Sequence, residues 1–158
     1  MQFRNKYYFL SNMYPCRITL VVNDTILTFP CAESAFQAVK CPDMAHLFAS
    51  NADTKYADGY AAKKAGRKVP LRPDWEHVKI PVMAQILCAK FRQNPELEAK
   101  LLTVTGDIVE ENTWHDTFWG VCNNTGQNWL GRLLMQVREY PPSKNGTPSI
   151  WLRNLILA

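Results

Sequence analysis

Apolar and polar positions alternate near the start of the chain and then change period. In "CRITLVVNDTILTFP", residues 16 to 30, β-branched and aromatic residues flank Asn23-Asp24, a pair that tolerates left-handed backbone dihedrals. This predicts a β-hairpin ended by Pro30, after which the spacing from Glu33 to Lys40 turns helical. "PDMAHLFAS" and "TKYADGYAAKKAG" read as short helices, the second closed by Gly66 at a C-cap position. "DWEHVKIPVMAQILCAKFRQN" carries Trp75, Val78, Val82, Ile86 and Ala89 on one stripe flanked by Lys79 and Lys90, and predicts the central helix. Pro81 removes one of its backbone donors, so a kink or break is expected near Val78. "NPELEAKLLTVTG" predicts a helix with Asn94 as N-cap and Pro95 at the first position. "NWLGRLLMQVREY" predicts another, with Leu130, Leu133, Leu134 and Val137 on its apolar face. "PPSKNGTPS" reads as a surface loop or linker to an apolar tail, "IWLRNLILA", expected to dock on the body.

The helix from Glu33 to Lys40 raises a chemical question. At about 100° per residue, Glu33, Phe36, Gln37 and Lys40 fall within roughly a 100° arc, so a carboxylate and an ammonium share the face that holds a phenylalanine. They can line one pocket. The plain alternative is that Glu33 and Lys40, two turns apart, snorkel or pair separately at a helix surface.

Composition narrows the class. With 158 residues, 47% of them hydrophobic and 20% charged, the chain fits one globular domain over its whole length, burying roughly 70% of its unfolded surface. The net charge of +4 tolerates phosphate-bearing ligands, but the excess is modest and spread along the chain. Five cysteines without a CxxC pair argue against a disulfide framework and suit a reducing cytoplasm. His46, His77 and His115 lack metal-ligand spacing, and neither GxxxxGK[ST] nor GxGxxG occurs, so no metal is expected and neither phosphate loop is available. No signal-like start and no run of roughly 20 apolar residues appears, which leads to the expectation of a soluble, unprocessed, cytoplasmic protein.

Two stretches concentrate chemistry. "ENTWHDTFWGVCNNTGQNWLG" crowds Trp114, Phe118 and Trp119 around Asp116 in a loop rich in glycine and asparagine, and loops bearing large aromatics usually line something. Otherwise the aromatics cap the core and Asp116 caps a turn. "GRKVPLRPDWEHVK" gathers Arg67, Lys68, Arg72 and Lys79 around Trp75, offering guanidinium forks for phosphate and a ring for stacking on a base. A solvated basic face, with Trp75 in the core stripe, is the other reading.

Together these motifs resemble the NADAR, or YbiA-like, family of N-glycosidases. The matching pieces are "FLSNMYP" (9 to 15), "ESAFQAVK" (33 to 40), "GRKVPLRPDWEHVK" (66 to 79), "AKF" (89 to 91), "DTFWG" (116 to 120) and "NWLGRLLMQVR" (128 to 138), in the family's order. The resemblance implies a compact α+β fold, here a mostly helical single domain with a small N-terminal β-hairpin, and hydrolysis of a bond joining ribose to nitrogen. It puts Glu33, Lys40, Asp116 and Trp119 on active-site positions and Asn12, Arg67, Arg72, Trp75, Lys79 and Gly120 on substrate-binding ones. Two departures stand out: Ser34 and Ala35 replace a histidine and an aromatic common in relatives, and Pro30-Cys31-Ala32 replaces a serine or threonine N-cap. The tail after Tyr140 has no matching counterpart.

Breaking a ribosyl C–N bond builds positive charge on the sugar carbon and ring oxygen, so a carboxylate stabilises the transition state more than the ground state. Glu33 or Asp116 fits that role, and the other, or a water it orients, completes hydrolysis. Lys40 has two open roles: a cation that binds phosphate or tunes Glu33, or a nucleophile that captures an opened ribose as a Schiff base. No step demands a cofactor. Family substrates are phosphorylated ribosylamino-pyrimidine intermediates of riboflavin synthesis, or ADP-ribose attached to guanine in nucleic acid. The sequence reading leans to the second, with a non-catalytic ADP-ribose or nucleotide-binding module as the alternative to an enzyme.

Overall fold

The computed structural model describes residues 1–52, 56 and 58–157. After a 3-10 helix at Asn5–Leu10 comes the hairpin: β1 (Ile18–Val22) pairs antiparallel with β2 (Thr25–Phe29), Ile18 opposite Phe29 and Val22 opposite Thr25. Asn23 and Asp24 carry φ of 50° and 61°, the two positive dihedrals that a two-residue turn matched to strand twist requires. Ile18, Val22 and Phe29 face the core, while Val21 and Ile26 are exposed.

Six helices follow among the described residues: α1 (Ala32–Lys40), α2 (Gly59–Gly66), α3 (Trp75–Gln93), α4 (Pro95–Thr103), α5 (Trp129–Glu139) and α6 (Pro148–Leu157). α3 is the central one, packing against β1, α1, α4, α5 and α6. Every apolar position expected on the inner face of α5 is buried, and Trp151 docks α6 into the core with 2% exposure. None of the described helices is long and apolar enough to cross a membrane.

Several expectations are corrected or sharpened. The short helix expected in "PDMAHLFAS" is present as a 3-10 helix over Pro42–Phe48. In "TKYADGYAAKKAG" the helix begins at Gly59, with Asp58 accepting the Ala61 N–H at 2.8 Å; residues 54, 55 and 57 lie outside the described residues. Gly66 is no left-handed cap but the last helical residue, and a β-carbon there would run into the Gln37 side chain. It is glycine so that α2 can approach α1. α3 runs unbroken through Pro81, because burial of Met83, Ile86, Leu87 and Phe91 outweighs the roughly 3 kcal/mol that proline costs inside a helix. Of the expected stripe Trp75 and Ile86 are buried, while Val78, Val82 and Ala89 are only half-buried and their neighbours Met83, Leu87 and Lys90 are buried instead. Asn94 does occupy the N-cap position of α4, with Pro95 first in the helix, but its side chain makes no cap and donates instead to the carbonyls of Arg17 and Lys90 at 2.9 and 2.7 Å. "PPSKNGTPS" is not a purely surface loop: Pro141, Pro142, Gly146 and Pro148 are buried.

Candidate active site

The site is assembled on α1, whose start is held by the segment before the hairpin. Lys90 of α3, fully buried, donates to the carbonyls of Phe9 at 2.7 Å and Ser11 at 2.9 Å. The next carbonyl, that of Asn12, accepts the Glu33 N–H at 2.9 Å. Cys31 makes no side-chain cap, so this loop carbonyl satisfies a first-turn donor that a serine or threonine cap would otherwise serve.

Above α1 opens a cleft of ≈ 840 Å³, within the usual range of small-molecule sites. Glu33, Phe36, Gln37 and Lys40 form its floor, so the helical arc expected from sequence does face one pocket. Asn12 lines one wall; Asp116 and Trp119 line the loop opposite; Lys63 and Arg67 approach from α2 and the turn beyond it.

Polar contacts link the floor residues. Gln37 Nε2 donates to Glu33 Oε1 at 2.8 Å, and Lys40 Nζ donates to Gln37 Oε1 at 3.4 Å, so the amide relays orientation between ammonium and carboxylate. Burial raises the Glu33 carboxyl above the usual range, against the opposing pull of Gln37, Lys63 and Lys40, while Asp116 adds to the rise. Burial also lowers the Lys40 ammonium, Glu33 opposing and Arg67 assisting.

Asp116 has a structural role and a place in the cleft. Its Oδ1 accepts the N–H groups of Phe118 at 3.0 Å and Trp119 at 2.8 Å, an Asx-type turn. Asn112 brackets its backbone, donating to the Asp116 carbonyl and accepting its N–H. The turn places Trp119 edge-on to Phe36, with ring centroids 5.5 Å apart, and Phe118 edge-on to Trp119 at 4.9 Å. Trp119 thus stands as an aromatic wall beside the floor, backed by Phe118.

The remaining expected substrate contacts, Arg72, Trp75, Lys79 and Gly120, do not line the cleft. Arg72 forms a two-pronged pair with Asp74 at 2.6 and 2.9 Å, facing a separate hollow with Leu71 and its flanking prolines. Trp75 is 6% exposed beneath the floor, its ring 4.9 Å from Phe36, in keeping with its place in the core stripe. Lys79 pairs with Glu76 at 2.6 Å and lies 4.0 Å over the Phe118 ring, bracing the aromatic wall from behind. At Gly120 a β-carbon would stand 2.5 Å from the Glu110 carbonyl and 2.9 Å from Glu110 Oε2. Glycine there lets the loop close over Glu110.

Among the cleft residues that sequence reasoning missed, Lys63 and Glu110 matter most for the chemistry. Lys63 was accessible, since Tyr60, Lys63 and Arg67 follow one another at helical spacing and all three line the cleft. Glu110 had no such signal, lying in irregular chain between α4 and α5.

The NADAR domain family model matches residues 1–140. The chain is 39% identical over 115 residues to the N-glycosidase YbiA of Shigella boydii serotype 4 (strain Sb227), covering 71% of this chain and 70% of that one. It is 35% identical over 134 residues to a riboflavin biosynthesis protein of Vibrio vulnificus (strain YJ016), covering 83% of this chain and 35% of that one. The NMR structure of the E. coli protein YbiA superposes with a TM-score of 0.68 at 34% identity, covering 92% of this chain and 86% of that one. Fold, cleft and relatives define the class, a hydrolase acting on N-glycosyl bonds. The chain belongs to the NADAR family.

Proposed function

We propose that the cleft hydrolyses the ribosyl C–N bond of a small phosphorylated ribosylamine, of the ribosylamino-pyrimidine phosphate kind, rather than of ADP-ribosylated guanine in nucleic acid. The observation that carries the reading is Glu33, a carboxylate 7% exposed on the floor of an aromatic-walled cleft, oriented by Gln37. A preference for the small substrate is supported by the charge balance of the lining. Arg4, Lys40, Lys63 and Arg67 face Glu33, Glu110, Glu111 and Asp116, whereas a nucleic-acid surface concentrates positive charge. It is also supported by the name of the Vibrio vulnificus relative. This departs from the lean of the sequence alone.

In this reading Asp116, fixed through Oδ1, faces the positive charge that develops on the sugar, and Glu33 takes a proton from the attacking water. Arg67 and Lys63 hold the phosphate, Asn12 a sugar or base polar group, and Trp119 the base or ribose face. Incubating the protein in parallel with a ribosylamino-pyrimidine phosphate and with ADP-ribosylated DNA, and following base release by chromatography, tests it. Release from the small substrate is the expected result; release from the DNA adduct alone overturns the choice.

Lys40 acts here as a cation that orients Gln37 and thereby Glu33, since its ammonium already donates to Gln37. Treatment with substrate and borohydride is expected to leave Lys40 unmodified, and Lys40→Arg to keep a substantial part of the activity. A reduced sugar adduct on Lys40 with an inactive arginine variant assigns the Schiff-base role instead.

A further inference from the structure

Of the cleft carboxyls, Glu33 is held by an amide and Asp116 by two backbone N–H groups. Glu110 differs. Its Oε2 is buried and meets no donor among the described residues. Its main chain is fixed on both sides: the N–H donates to Asn128 Oδ1 at 3.0 Å, and the carbonyl accepts the Val121 N–H at 2.8 Å. Gly120, by lacking a β-carbon, leaves room for the carboxyl. An ionised carboxylate with one oxygen buried away from any donor is costly, whereas a neutral carboxylic acid carries an O–H ready for an acceptor brought by a ligand.

Resting on the N-glycosidase reading of this cleft, we propose that Glu110 is the acid that gives a proton to the departing nitrogen. The charged groups acting on it are Asp116 from its own loop region, Glu33 from α1 and Lys63 from α2. The two carboxylates favour its neutral form and only Lys63 opposes them; with burial as the largest cause, the group is pushed up to about 7. That poises it to donate near neutral pH. As the C1′–N bond breaks, its electron pair moves onto nitrogen and the Glu110 proton joins it. Water adds its oxygen to C1′ and gives a proton to the Glu33 carboxylate. Exchange with solvent as products leave restores both residues. Two carboxyls thus divide the work: Glu33, which accepts from the Gln37 amide, takes the water's proton, and Glu110, whose Oε2 meets no donor among the described residues, gives one.

Glu110→Gln keeps the shape and loses the acidic proton. On the amine-linked substrate it is expected to lower kcat/KM about a hundredfold. The parent's fall in kcat/KM as pH rises through about 7 is expected to disappear with it. On a ribosyl pyridinium, whose ring departs neutral and needs no proton, the variant is expected to match the parent. Equal losses on both substrates mean a structural role, and an unimpaired variant on the amine-linked substrate means no role; either overturns the proposal. Circular dichroism checks folding, and Glu110→Asp, which retains an acid, is expected to restore the alkaline limb if the glutamine variant fails to fold; an Asp variant without that limb overturns the proposal. A parent that releases no base from either substrate sinks the N-glycosidase reading and Glu110's role together, while an active parent with an unimpaired variant sinks only the latter.

Discussion

Glu33→Gln is expected to lose about a thousandfold in kcat, in the range seen when a catalytic base or a charge-stabilising group is removed. The amide fills the same volume and its oxygen can still accept from Gln37, so the fold and the relay stay while the charge goes. KM is expected to change little, because the group acts in the transition state more than in binding. Stability moves the other way. A carboxyl raised by burial binds its proton more tightly folded than unfolded, so its contribution is full below the unfolded value and is lost as pH rises through the raised folded value. Above that point the neutral glutamine variant is expected to melt higher than the parent, and the difference to vanish in acid. Thermal melts across pH, run beside steady-state kinetics, check both halves. A variant with parental kcat removes Glu33 from the chemistry.

Asp116 requires a gentler change. Alanine deletes the acceptor of two loop N–H groups along with the charge, whereas asparagine keeps an oxygen for Phe118 and Trp119 and isolates the charge. The two sequence readings of Asp116, turn cap and functional carboxylate, are therefore compatible in one residue.

What was legible in the sequence was local. Asn23-Asp24 dictated its turn, Leu130 to Val137 their inward stripe, and the arc from Glu33 to Lys40 its shared pocket, because each signal lies within a few residues of its consequence. What was illegible depended on distant chain. Trp75 stands in basic surroundings that suggest a ligand platform, yet Phe36 from α1 covers its ring. Oε2 of Glu110 becomes buried only when the loop folds back so that Gly120 meets it. Gly66 resembles a helix stop, and its reason is Gln37 on another helix.

Lys90 is the sharpest case of a residue whose sequence signal misleads: it seemed to flank the apolar stripe of the central helix, and it is the charge buried deepest in it, with 0% exposure. No salt bridge reaches it among the described residues; its partners are the Phe9 and Ser11 carbonyls, with the rings of Tyr14 and Phe91 at 5.9 and 5.5 Å from the ammonium. Burial pushes it down to about 8, with Cys16 and Cys31 opposing. The folded state therefore releases the proton more readily than the unfolded chain, so Lys90's contribution to stability rises as pH passes upward through about 8 toward the ordinary lysine value. Lys90→Met fills much of the volume but strands two carbonyls, each costing about 1–3 kcal/mol, while relieving the buried charge at neutral pH. Its disadvantage against the parent is consequently expected to grow by about 1 kcal/mol between about pH 7 and pH 9. Urea unfolding at both pH values measures this, and a gap that stays flat or narrows refutes the buried, donating lysine. Activity is expected to fall as well, because the released carbonyls lie just ahead of Asn12, whose own carbonyl caps the helix that carries Glu33.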